Sequence, residues 1–137
     1  MSLRIKIEGL NQLGKAGNMA IAQKEKLRFA IRTELVWFGE NSVGTSRKRF
    51  LSGRPGLNVV TGRLRSSINY AVRNVDKGFS LDVGTNVSYA AVHEFGDRKG
   101  FIRPRPFLRP AVEEEYGKFT EEIDRILSEF AESGLGK

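Results

Sequence analysis

The sequence predicts an α+β domain: a small, mainly antiparallel β-sheet packed against two long α-helices, one N-terminal and one C-terminal. Apolar residues alternate with polar ones at 3–7, 68–73 and 79–83, the period of half-buried strands. Over about 19–43 and 110–132 they recur instead at spacings of three and four, the period of an amphipathic helix. The length of 137 residues, 39% of them hydrophobic, suits one core rather than two, so 1–137 is expected to be a single domain.

In chain order, Leu3, Ile5 and Ile7 alternate with Arg4, Lys6 and Glu8, and Gly9 ends the strand. In the first helix Ala20, Leu27, Ile31, Leu35 and Phe38 share one face. Phe29 and Val36 fall on the opposite side, and Trp37 lies off the main stripe. A second apolar face on a helix is either sandwiched within the fold or offered to another chain; in so small a domain, Phe29, Val36 and Trp37 are expected to form a subunit interface. The stretch "NSVGTSRKRFLSGRPGLNVV" that follows is rich in Gly, Ser and Arg, and predicts a mobile basic loop over 44–60.

Ile68, Tyr70 and Val72, then Phe79, Leu81 and Val83, are the inward positions of two strands. "NVDKG" supplies Asp76 and Gly78 for the turn between them, so the pair is a β-hairpin. Segment 88–95 is expected to be a short helix. The last helix, begun near Pro106 to Pro110, carries Val112, Tyr116, Phe119, Ile123, Ile126, Leu127 and Phe130 on its apolar stripe. Glu113, Glu114 and Glu115 lie near its positive end, where the helix dipole favours them. The Gly-bearing tail at 133–137 is expected to be flexible.

The charge is unevenly placed. Residues 41–75 hold seven Lys or Arg and no acid, and 98–109 hold five more, whereas 111–132 hold eight acids against Lys118 and Arg125. A basic middle and an acidic end attract nucleic acid or attract each other between subunits. The absence of cysteine excludes a disulfide framework and thiolate metal sites. No apolar run reaches the roughly 18–20 residues of a membrane span, and "MSLRIKIEGL" is too short and too polar for a signal peptide.

Catalytic equipment is sparse. His93 and Glu94 are the one acid–base pair in view, yet neighbours on a helix point about 100° apart and are poorly placed to act on one atom. "HEFGD" lacks the second histidine of a zinc-protease helix, and no Ser stands in a G-x-S-x-G context. "GKAG" and "VGTSRK" lack phosphate-loop spacing. No catalytic residue, no metal and no cofactor is therefore expected. Arg47, Lys48, Arg49, Arg54, Arg63 and Arg65 are the candidates for a DNA or inter-subunit contact; without an accompanying stack of aromatics they would not read bases.

The second half, "VTGRLRSSI", a hairpin ending "LDVGTNVSYAAVHEFG", then "IRPRPFLRPAVEE", resembles the small neck and tail-completion (minor tail, virion morphogenesis) proteins of long-tailed bacteriophages and prophages. The matching positions are Thr61, Gly62, Leu64, Ser67 and Ile68, then Val83, Gly84, Thr85, Tyr89, Ala90, Glu94, Phe95 and Gly96. Pro104, Arg105, Pro106, Phe107, Leu108, Pro110 and Ala111 complete them. The likeness covers about residues 50–115 closely. It implies a non-enzymatic structural protein of the virion, made in the bacterial host cytoplasm and built into the head–tail joint as a ring-like homo-oligomer. Other head–tail connector and tail proteins, and packaged DNA bound non-specifically, would be its partners, with no membrane involved.

Physical roles can be assigned to the motif without a substrate. Gly84 and Gly96 would allow tight turns. Tyr89, Phe95 and Phe107 would plug the space between hairpin and last helix, and Pro104 and Pro106 would stiffen the approach to that helix. His93 and Glu94 become interface or capping groups. Two alternatives stand beside this reading: a non-specific nucleic-acid-binding module using the basic 47–65 loop, and an enzyme using His93 and Glu94.

Overall fold

A computed structural model describes residues 2–8, 21–52, 62–75 and 78–135. In chain order the elements are β1 (Ser2–Glu8), α1 (Ile21–Thr45), a π-helical turn (Ser46–Phe50) and α2 (Arg63–Ser67). β2 (Asn69–Val75), β3 (Gly78–Gly84), α3 (Ala90–Phe95) and α4 (Arg109–Leu135) follow. The architecture is α+β, a three-stranded antiparallel sheet packed against two long helices.

β3 lies between β1 and β2. The register sets Val83 between Leu3 and Tyr70, and Leu81 between Ile5 and Val72. With a side-chain period of two, these residues share one face, and Phe79, Leu81 and Val83 of the central strand are buried there. On the other face Asp82 meets Arg4 at 2.7 Å and Arg73 at 3.7 Å, tying both edge strands to the centre. Both arginines are more than half exposed, so solvent screens these pairs and they act mainly on register.

α1 lies against the inner face through Leu27, Ile31, Leu35 and Phe38. Close approach is possible because residue 39 is glycine: a Cβ there would stand 2.6 Å from the Tyr70 ring. α4 packs along α1, burying Val112, Phe119 and Ile126. The rings of Phe38 and Phe119 stack 4.6 Å apart at the centre of that contact.

Four expectations need correction. Helical structure continues through residue 50, so the expected loop over 44–60 begins as helix. The burial stripe Leu27–Ile31–Leu35–Phe38 runs on through Ser42 and Ser46, both fully buried, and Leu51 enters the core. Small serines let the helix pass beneath its neighbours, and they remove the apolar signal from the sequence. α4 extends to Leu135, into the expected flexible tail. Tyr116, placed on the buried stripe by its spacing, is 51% exposed. Gly84 ends β3 in the ladder opposite Ser2 and Asn69 rather than making a tight turn. Ala20, Arg54, Thr61, Asp76 and the rest of the 53–60 stretch lie outside the described residues.

Candidate functional site

The helix start "RPFLRP" has no Ser, Thr, Asp or Asn to cap it. Leu108 stands at the N-cap position, its carbonyl accepting the first helical bond from Val112 N–H, but its side chain cannot accept one in return. Glu94, on α3, supplies the missing acceptor. Its Oε2 takes the N–H groups of Phe107 at 2.8 Å and Leu108 at 3.0 Å, and Oε1 takes that of Arg109 at 2.9 Å. Glu94 is buried, so this carboxylate sits where the backbone N–H groups and the dipole of α4 converge. A group so fully engaged by donors is not arranged as a proton shuttle.

His93 contributes its backbone as well: its carbonyl accepts Arg105 N–H at 2.7 Å. Its half-buried ring meets Tyr89 edge-on, 5.8 Å between centroids. Gly96 then reverses the chain with φ +77°; a Cβ there would come within 2.8 Å of the Ile102 carbonyl oxygen and 3.0 Å of Pro104 Cδ. From the far side, buried Ser46 donates to the Phe107 carbonyl at 2.7 Å. The first motif piece joins the second through Ser67 and Thr85, whose hydroxyls hydrogen-bond. Thr85 Oγ1 also accepts Val87 N–H at 3.0 Å. Gly62 opens α2 with φ +76°, and Leu64 packs against the core.

The three sequence pieces are thus linked in series, the first to the second through Ser67 and Thr85 and the second to the third in a knot around Glu94. Phe107 is wholly buried within it, as expected of a plug. Tyr89 and Phe95 are not plugs: they are 37% and 62% exposed. Pro106 is exposed on the approach to α4.

The basic candidates separate into different roles. Arg47 turns inward and donates to the carbonyls of Arg65 at 3.0 Å, Ser66 at 3.3 Å and Ile68 at 2.8 Å, closing the end of α2. Arg49 pairs with Glu114 of α4, beside the Thr45 hydroxyl's bond to Glu115. Lys48, Arg63 and Arg65 are exposed. The basic segment and the acidic helix are therefore partly matched within one chain, a pairing that charge counts alone do not reveal.

Besides Tyr89, Phe95 and Tyr116, large apolar side chains face solvent in two further places among the described residues. On the helices, Phe29 is 73% exposed, Trp37 is 58% exposed, and Val36 between them is half-buried. On the 96–103 loop, Phe101 is 83% exposed and Ile102 stands beside it. Trp37 walls a groove of about 400 Å³ between α1 and α4, floored by Phe38 and Phe119 and bordered by Glu34, Glu115, Glu121 and Glu122. Burial holds the Glu34 carboxyl above its ordinary value; nearby Glu122 adds to the rise and Arg125 opposes it. Sequence reading missed Phe101 and this groove. The signal available was an aromatic between Gly100 and Ile102 in a stretch otherwise of cations and prolines.

Among the described residues, no cluster of three or more His, Asp or Glu could hold a metal, and no helix is long and apolar enough to cross a membrane. No protein-family profile matches the chain, and no solved structure matches it. It is 37% identical over 66 residues to the uncharacterized protein MJ0331 of Methanocaldococcus jannaschii, 48% of this chain and 49% of that protein. The chain thus spans about half the length of this archaeal relative.

Proposed function

We propose that this chain is a structural protein of a phage or prophage, of the head–tail neck or tail-completion type, acting by oligomeric assembly and not by catalysis. The observation that carries the reading is the knot around Glu94. The second and third motif pieces serve there to hold α3 against the start of α4, Ser67 and Thr85 tie the first piece to the second, and the His–Glu pair is engaged through backbone groups and a helix cap. Exposed Phe29, Trp37, Phe95 and Phe101 leave apolar surface of the kind that subunit contacts cover. Partners would be further copies of the chain and the connector and tail proteins above and below it in the virion.

Nucleic-acid binding through residues 47–65 is less well supported, because Arg47 and Arg49 are engaged within the fold. The test is mass spectrometry and immunogold labelling of gradient-purified particles. The chain is expected at several copies per particle, with label at the junction of head and tail. Its absence from purified particles would refute the reading.

A further inference from the structure

The loop after α3 is closed at its base and exposed at its tip. Asp97 and Ile102 clasp its base: Asp97 N–H donates to the Ile102 carbonyl at 3.2 Å, and Asp97 Oδ1 accepts Ile102 N–H at 3.0 Å. Gly100, with φ +78°, turns the tip. Phe101 is the most exposed large apolar side chain described. Around it Arg98, Lys99, Arg103 and Arg105 are all exposed, and none makes an ion pair among the described residues.

The groove between α1 and α4 is the complement of this tip. It has an aromatic floor and wall, the size to take an aromatic side chain, and four carboxylates on its border, of which Glu122 is paired with Arg125 at 2.6 Å, beside Lys118. Glu34 and Glu121 make no ion pair among the described residues.

We propose that Phe101 of one copy seats in the α1–α4 groove of the next copy, against Trp37, with the loop's cations meeting the groove's carboxylates. Charge complementarity selects a second copy as the occupant. The unpaired groove carboxylates, Glu34 and Glu121, repel phosphate, and one exposed ring is not a stacking platform for nucleic acid. Loop and groove share no residue, and we take the contact as head-to-tail, one loop in one groove: it then propagates, and it closes into a ring when the rotation between copies allows, whereas a reciprocal exchange would stop at a dimer. The clasp pre-orders the loop base, which reduces the entropy lost on docking. This deepens the assembly reading above by naming the two surfaces, but its test reads self-association alone.

The experiment is sedimentation of the purified full chain across a concentration series, with Phe101→Ser and Trp37→Ser. Both positions are exposed, and circular dichroism checks that each variant folds. The wild type is expected to form species larger than a dimer. Each variant should weaken association by at least about tenfold, as a central aromatic anchor does. An equimolar mixture of the two variants should give a dimer that grows no further, because only one competent loop–groove pair remains. A second pair of variants tests the charge match: Arg98→Glu with Lys99→Glu should abolish association, and adding Glu121→Lys and Glu122→Lys should restore it.

A wild type that stays monomeric to about 1 mM, or a Phe101→Ser variant that associates like the wild type, would overturn the proposal. So would loop variants that lose binding to duplex DNA while self-association is unchanged; the loop would then serve nucleic acid. If the loop–groove contact forms but particles lack the chain, the virion reading fails and this contact stands. If particles contain the chain but the variants associate normally, this contact fails and the virion reading stands.

Discussion

Replacing Glu94 with Ala removes one acceptor group from three donors at once. Phe107 and Leu108 are shut off from solvent, so their N–H groups lose partners at 2.8 and 3.0 Å with no water to replace them. Each buried donor left unsatisfied costs about 1–3 kcal/mol. Arg109 N–H, bonded at 2.9 Å, is only partly buried; water can reach it, and its loss costs less. Removing the negative charge from the start of α4 adds about 0.3–1 kcal/mol. These terms overlap, and about 3–5 kcal/mol is the expected total, a large fraction of the roughly 5–15 kcal/mol that holds a domain together. Glu94→Gln keeps one carbonyl oxygen for two donors but turns an NH₂ toward the third, so about 1–3 kcal/mol is expected. Urea titration followed by circular dichroism measures both, with Glu121→Ala as an exposed acidic control expected within about 0.5 kcal/mol of wild type. A Glu94→Ala variant that loses less than about 1 kcal/mol, with an unchanged urea slope, would refute the cap as the reason for Glu94.

Three further outcomes follow from the same geometry. Gly96→Ala should destabilise by about 2–4 kcal/mol, because left-handed strain adds to a contact with the Ile102 carbonyl; Gly100→Ala, at nearly the same φ but facing open space, should cost only about 1 kcal/mol in the same titration. Arg47→Ala should cost about 1–3 kcal/mol through its three lost bonds to carbonyls, while Lys48→Ala should be neutral in thermal unfolding. The carboxyl of Glu34 titrates above its unfolded value, so its ionised form opposes folding, and that opposition disappears as pH falls through the folded and then the unfolded pKa. Glu34→Gln should therefore raise stability at pH 7 by roughly 0.5 kcal/mol or less, and the gain should vanish below about pH 4 in a pH series of unfolding curves.

Much of the fold was legible because periodicity reports burial directly. Leu3, Ile5 and Ile7 alternate because one face of β1 meets the core, and Leu27 through Phe38 repeat every three or four residues because one face of α1 does. Legibility failed where burial and hydrophobicity part company. Ser42 and Ser46 are as buried as Leu35, but their polarity, followed by Arg47, Lys48 and Arg49, reads as loop. Tertiary bonds from Ser46 and Arg47 hold that segment in a helical turn against its local preference.

The site was legible only in part for a related reason. The short motif pieces could be seen, but their joint purpose is a long-range contact, Glu94 to a helix start 13 to 15 residues further on. The usable clue was negative: a helix opening without a capping residue must find its acceptor elsewhere. Charge counting misled in the same way, because Arg47 and Arg49 look like free cations until the fold brings their acceptors to them.

The proposed assembly at the head–tail joint is tested most directly by deleting the gene in its host, inducing, and counting particles by negative-stain electron microscopy. Filled heads and free tails lying unjoined, restored to whole particles when the gene is supplied in trans, is the predicted result. Intact, infectious particles in the deletion lysate would contradict it.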